Sequence, residues 1–203
     1  RLTHDYLGRP AGALFEAAHA YLHPYSQPTL AELPTKLNVT DAAAPDGWSG
    51  TWTAFGDNSV QRYAYFVAQA TTTGQDYYGS FLIRMDDGGA PMPSTSTTTG
   101  DFSMVNAGGP LKPSDGSSGF DVVGPFANSV YRVSYYATSS GATIRPPSPI
   151  KYVWQSARGF VVGPRSFGPG RYPTSFMEAT GTAPSRAAAV LSLPVPGFAA
   201  AEI

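Results

Sequence analysis

The stretch Val60-Gln61-Arg62-Tyr63-Ala64-Tyr65-Phe66-Val67-Ala68-Gln69-Ala70 decides the fold class. Tyr63, Tyr65 and Val67 alternate with Ala64, Phe66 and Ala68, which is the two-residue period of a strand, and aromatic and β-branched side chains dominate. Apolar residues in both sets predict a strand covered on both faces. The turn signal Thr73-Gly74-Gln75-Asp76 follows, and beyond it residues 77–85 form a second candidate in which Tyr77, Phe81, Ile83 and Met85 share a face interrupted by Gly79. Two such runs joined by a turn predict an antiparallel pair.

The same pattern extends in both directions. Upstream, residues 37–40 and 48–55 read as strands, the second with Trp48, Trp52 and Ala54 on one face. Downstream, strands are expected at 102–105, 120–123, 130–138, 150–155, 159–162, 174–179 and 188–193, and turn clusters separate them. No period of 20–50 residues repeats, which argues against a propeller or solenoid. The expected fold is all-β, an antiparallel β-sandwich or jelly roll with long loops, and a compact β-barrel is the alternative.

Helical periodicity is confined to residues 11–22, where Leu14, Phe15, Ala18, Tyr21 and Leu22 fall on one face between Pro10 and Pro24. This predicts one short N-terminal helix. Pro28 and Pro34 then mark an extended connector with a brief turn around Ala31. The chain divides on this reading into a helical and Pro-rich lead-in, 1–36, and a β-sandwich domain, 37–203.

Composition narrows the functional classes. The 203 residues are 42% hydrophobic and 13% aromatic, enough for a packed core, but only 13% are charged, about half the usual share. With 22 Gly and 19 Pro, uncharged turns must cover much of the surface. A net charge of -1 gives no field to draw nucleic acid or an anionic membrane, so neither is expected as a partner. Cysteine is absent, which removes disulfides and thiolate metal sites. No apolar run approaches the roughly 18 residues that span a bilayer, so membrane insertion is not expected. Arg1 follows no initiator Met or signal-type segment, the pattern of a piece of a longer chain.

Catalytic and cofactor motifs are missing, and neither an enzyme nor a cofactor is expected. Glu16, His19 and His23 would share a helix face at zinc-like spacing, yet His23 abuts Pro24 and no fourth ligand is suggested, so the polar side of a helix is the simpler reading and no metal is assigned. Ser148 and Lys151 match Ser-x-x-Lys in letters, but Pro146, Pro147 and Pro149 forbid the helix that pairing needs. Asp86-Asp87 precedes Gly88-Gly89 and reads as a turn instead of paired catalytic carboxylates. Nucleotide-binding glycine loops and a nucleophile elbow are absent.

Two regions remain as candidates. Residues 86–119 are a long Gly-, Pro- and Ser/Thr-rich connection of the kind that is functional when present in a compact domain. Residues 143–186 carry Arg145, Lys151, Arg158, Arg165, Arg171 and Arg186 against the single acid Glu178. Arg158, Arg165 and Arg171 lie in or beside Gly-Pro turns, where a guanidinium can grip a carboxylate or sulfate, and Tyr152, Trp154 and Tyr172 could supply stacking faces for a sugar. The plainer reading is solvated arginine with its stem on an aromatic ring. Asn38-Val39-Thr40 is a glycosylation sequon, relevant only in a secretory pathway. The paired tyrosines at 63/65, 77/78 and 135/136 fit sheet packing with a polar rim, some of it open to an interface.

The low charge, absent cysteine, many tyrosines and loops such as 86–119 resemble a capsid module of a small non-enveloped RNA virus. Within that group the helical and Pro-rich segment 10–36 and the long loops resemble the protruding or spike domains of astrovirus, hepevirus and related capsid proteins. The resemblance implies a β-sandwich or small barrel on the virion surface, self-associating as a homodimer or other homo-oligomer, and presenting loops to a host receptor or glycan and to antibodies. A shell domain would ordinarily bring a basic arm, and only Arg1 and Arg9 are basic near this N-terminus. Two other readings stay open: a secreted carbohydrate-binding module or carbohydrate-active β-sandwich, with Trp48, Trp52 and Trp154 as sugar platforms, and a capsid shell or other structural subunit.

Overall fold

The computed structural model describes residues 2–4, 10–13, 19–20, 22, 27–94, 100–104, 120–172 and 185–186. Its strands, in chain order, are β1 (Leu2–His4), β2 (Pro10–Ala13), β3 (His19–Ala20), β4 (Thr35–Leu37), β5 (Thr40–Ala43), β6 (Thr51–Phe55), β7 (Arg62–Tyr65), β8 (Gln69–Ala70) and β9 (Asp76–Met85). They continue as β10 (Pro93–Ser94), β11 (Phe102–Met104), β12 (Asp121–Val123), β13 (Val130–Thr138), β14 (Thr143–Ile144), β15 (Pro149–Lys151), β16 (Phe160–Pro169) and β17 (Ser185–Arg186). The one helical turn among the described residues is a 3-10 turn at Ala127–Ser129. The all-β expectation holds.

Two sheets make the body of the fold. Six strands run in the order β12-β13-β9-β16-β6-β5, and five in the order β10-β11-β15-β7-β4. Neither sheet closes on itself, so the barrel alternative gives way to an open sandwich. Chain path and pairing are nested: β6 pairs β16, β7 pairs β15, and β9 pairs β13, all antiparallel, and the chain crosses to the five-stranded sheet at β7, at β10 and β11, and at β15, returning to the six-stranded sheet after each. An antiparallel ribbon folded over in this way is the winding of a jelly roll.

Alternation along the strands fills the space between the sheets. Phe81, Ile83 and Met85 of β9 face inward with Phe55, Val133, Phe160 and Val162, and meet Phe102, Ala64, Phe66 and Leu33 from the opposite side. Phe102 is the keystone: its ring centroid lies 5.8 Å from that of Phe81 and 5.3 Å from that of Phe160, which itself stacks on Phe55 at 4.8 Å. Fully burying one such ring contributes roughly 1.5–3 kcal/mol. A second, smaller cluster sits on the outer face of the six-stranded sheet, where Trp52, Leu82 and Val130 are covered by Trp48, Ala42, Ala44 and Val161. The grouping of Trp48, Trp52 and Ala54 on one face fits this arrangement.

Several expectations need correction. The runs 60–70 and 77–85 are not an antiparallel pair: β7 lies in the five-stranded sheet, whereas β9 is central in the other, flanked by β13 and β16. The nine-residue register with Val130–Thr138 and the long one with β16 satisfy both edges of β9, leaving no edge for β7. The run 60–70 is also broken, because Phe66 turns into the core and Val67 is 63% exposed.

The N-terminal helix is likewise overturned wherever residues 11–22 are described. Pro10–Ala13 pairs with Leu2–His4, and His19–Ala20 pairs with Ser185–Arg186. Gly12 costs a helix about 1 kcal/mol, and at the described residues strand partners satisfy the backbone instead. Residues 14–18 lie outside the described residues, as do the strands expected at 174–179 and 188–193. The boundary drawn at 36/37 falls within β4, Leu33 is a core residue, and Leu22 N–H donates to Phe167 O at 2.9 Å, so part of the lead-in packs on the sandwich.

Candidate functional site

The outer face of the five-stranded sheet follows from the same alternation. Because Ala64 and Phe102 point into the core, Tyr63, Tyr65 and Ser103 point outward, and register places Leu37 and Ile150 beside Tyr63 on that face. Tyr63 and Tyr65 stack at 5.2 Å between centroids, and the Arg145 guanidinium sits 4.3 Å above the Tyr65 ring. One strand away, the chain leaves β15 into a turn at 152–155 that stacks Tyr152 on Trp154 at 5.0 Å with planes 15° apart. Trp154 is 41% exposed. The pairing of β15 with β7 links the two stacks along the chain, Tyr152 following two residues after Ile150, the partner of Tyr63.

A polar network beneath the turn fixes the second stack. Asp101 is buried, and its carboxylate accepts from Met92 N–H at 2.8 Å, from Arg158 Nη1 at 2.8 Å and from Ser156 Oγ. Arg158 also clasps Asp87 with Nε and Nη2, each at 2.8 Å. The Arg158 hydrogen bonds, helped by Gly89 N–H, hold the Asp87 carboxyl down to about 2, and the same pairing raises Arg158. Lys151 points inward and donates to the carbonyls of Arg158, Ser156 and Asp101 at 2.7, 2.8 and 3.3 Å. Burial lowers its ammonium while Asp101 works in the opposite sense. Gln155 bridges Tyr152 N–H and Ser103 Oγ, and Asn58 Nδ2 donates to the carbonyls of Val153 and Gln155. Charge-assisted bonds to main-chain atoms of a turn are the means by which a loop becomes a rigid platform.

Of the six residues singled out in the sequence, the structure brings together Tyr152, Trp154 and Arg158 at one end of the sandwich. Arg158 spends its guanidinium on Asp87, Asp101 and the Ala90 carbonyl, so it supports the turn and does not face solvent as an anion grip. Arg171 and Tyr172 lie at the opposite end: Arg171 Nε donates to Asp76 Oδ2 at 2.5 Å, and Asp76 opens the same ten-residue strand whose far end precedes Asp87. That span is roughly 30 Å. Tyr172 is 65% exposed there. Arg165 belongs to neither end; it is fully buried within β16, because the Gly163-Pro164 pair read as a turn is a bulge inside a continuous strand. A single three-arginine site on surface loops is therefore not formed.

The remaining candidates are placed as follows. Asp87 Oδ1 accepts from Gly89 N–H, the turn role expected of it. Ser148 Oγ donates to the Pro146 carbonyl, and Lys151 is engaged by its three carbonyls. His19 lies on a strand, while Glu16 and His23 lie outside the described residues. Among the described residues no group of His, Cys, Asp or Glu is arranged to hold a metal, and no helix is long and apolar enough to cross a membrane. Sequence reading missed the Asp101 and Lys151 network, which joins residues about fifty positions apart through a strand pairing no local pattern announces. The outward tyrosines carried a signal, strict alternation, but it was read as coverage of both faces. No protein-family model and no curated protein matches this sequence.

Proposed function

We propose that this chain is a non-catalytic capsid domain of a small non-enveloped RNA virus, a surface module that self-associates through the outer face of its five-stranded sheet and uses its loops for host-cell attachment. The observation that carries the proposal is the nested jelly-roll winding with an outward aromatic face of Tyr63, Tyr65, Tyr152 and Trp154. Jelly rolls serve as capsid and lectin domains, and tyrosine and tryptophan are enriched where surfaces meet. The pinned charges fit a structural role as well: Asp87, Asp101, Arg158 and Lys151 are engaged in holding loops. The test is to express the chain within its capsid protein and image the product by electron microscopy, alongside binding of the isolated domain to susceptible cells and a glycan array. Projections or particles together with cell or glycan binding support the proposal; a dispersed protein that binds neither removes it.

A second reading, a carbohydrate-binding module, is favoured by one feature. The outward face of Trp154, backed by Tyr152, is shaped to stack on the C–H face of a pyranose. Titration of tryptophan emission with polysaccharides separates the two readings, since Trp52 is buried and its emission is insensitive to a surface ligand.

A further inference from the structure

Among the described cations Arg165 is the one with two buried, unpartnered donors; Arg145 has one, its Nε. Arg165 is fully buried, its Cζ lies 5.6 Å over the Phe66 ring, and its two hydrogen bonds run from Nη1 alone, to Pro147 O at 3.2 Å and Ala64 O at 3.4 Å. Nε and Nη2 are buried without a partner among the described residues. These two donors lie on the same edge of the guanidinium, and their N–H bonds are parallel at the spacing of two oxygens of one carboxylate or oxyanion. No carboxylate among the described residues pairs with Arg165, and desolvation alone pushes it down to about 10.

The inward aim is built into the strand. Val162 pairs with Ile83 and Arg165 with Phe81, so three steps along β16 match two along β9, and the extra residue turns Arg165 to the core side. Bulges are the usual device for re-aiming one side chain. One same-face rung along β9, Tyr135 packs over Gly79, where an added Cβ would lie 2.7 Å from its Oη and 2.9 Å from Pro147 Cγ. Burial raises the Tyr135 phenol, so it stays protonated and offers no negative charge. An isolated buried charge costs several kcal/mol unless something neutralises it, and a single water fills a fork poorly and neutralises nothing.

We propose that the Nε–Nη2 edge of Arg165 binds a two-oxygen anion, a carboxylate or an inorganic oxyanion, enclosed between the sheets of the sandwich. The anion completes the core as the sheets close over it, and it is a ligand of folding.

The full chain, refolded in formate, acetate, phosphate or chloride at matched pH and ionic strength, tests this by its thermal midpoint. Formate and acetate, or phosphate, are expected to raise the midpoint saturably by about 4–8 °C, with the responding group identifying which oxyanion is bound. The Arg165→Met variant is expected to lose that dependence. Equal midpoints in all four salts, or the same dependence in Arg165→Met, overturn the proposal. Should Arg165→Met not fold, the Arg165 Nε–H resonance of wild-type protein decides: a saturable shift on titration with formate or phosphate supports the site, and an unchanged resonance overturns it.

Discussion

Arg158 Nη1 lies 2.8 Å from Asp101 Oδ2, and this pair ties the turn bearing Tyr152 and Trp154 to the start of β11. The Asp101 side chain is 2% exposed and that of Arg158 is 25% exposed, so the acid is the buried partner and its loss strands more than one donor. Asp101→Ala removes the acceptor for Met92 N–H, Ser156 Oγ and Arg158 together. It is expected to lower stability by about 3 kcal/mol in urea unfolding and to shift Trp154 emission to longer wavelength.

Asp87 gives a pH signature. Its folded carboxyl is held at about 2 by Arg158, below the ordinary carboxylate value near 3.9. A depressed folded value contributes stability that is complete above the unfolded value and is lost as pH falls through the folded one. Stability measured by urea unfolding is therefore expected to decline between about pH 4 and pH 2. Asp87→Asn is expected to flatten that part of the profile, and an unchanged slope would mean that the Arg158 clasp does not persist in solution.

Gly163 packs against the outer-face tryptophan. A Cβ placed there would stand 2.3 Å from Trp52 Cε2, and that ring is fully buried. Gly163→Ala must displace either the indole or the bulge, at a cost of about 1–3 kcal/mol or more. Near-ultraviolet circular dichroism is expected to lose the Trp52 contribution while the far-ultraviolet strand signal remains.

The fold class was legible because alternation is local: Phe81, Ile83 and Met85 announce an inward face without any knowledge of their partners. Pairing was not legible, since β9 could satisfy its edges with β7 or with the distant β13 and β16, and no feature of residues 60–85 distinguishes these. The helix expected at 11–22 gives way, at its described residues, to strand pairing with Leu2–His4 and with Ser185–Arg186, partners that a 3.6-residue pattern does not announce. Of the candidate site, Tyr152 and Trp154 were readable as aromatic stacking faces within the Arg-rich segment 143–186. Arg165 was misplaced because a bulge shifts side-chain parity by one residue, and Gly163-Pro164 reads equally as turn or bulge. Asp101, invisible in sequence, matters through bonds to residues nine to fifty-seven positions away, which only the sheet topology brings near.

The central claim is that the outward aromatic face joins copies of this domain. Sedimentation velocity of the isolated domain over a wide concentration range, set against Tyr63→Ser/Tyr65→Ser, tests it most directly. Both tyrosines are half-buried on the sheet surface and outside the core, so the double variant is expected to fold, with unchanged far-ultraviolet circular dichroism as the check. A concentration-dependent dimer or larger assembly is expected for the wild type and a monomer for the double variant. A wild type that stays monomeric at high concentration, or a double variant that associates equally well, would contradict it.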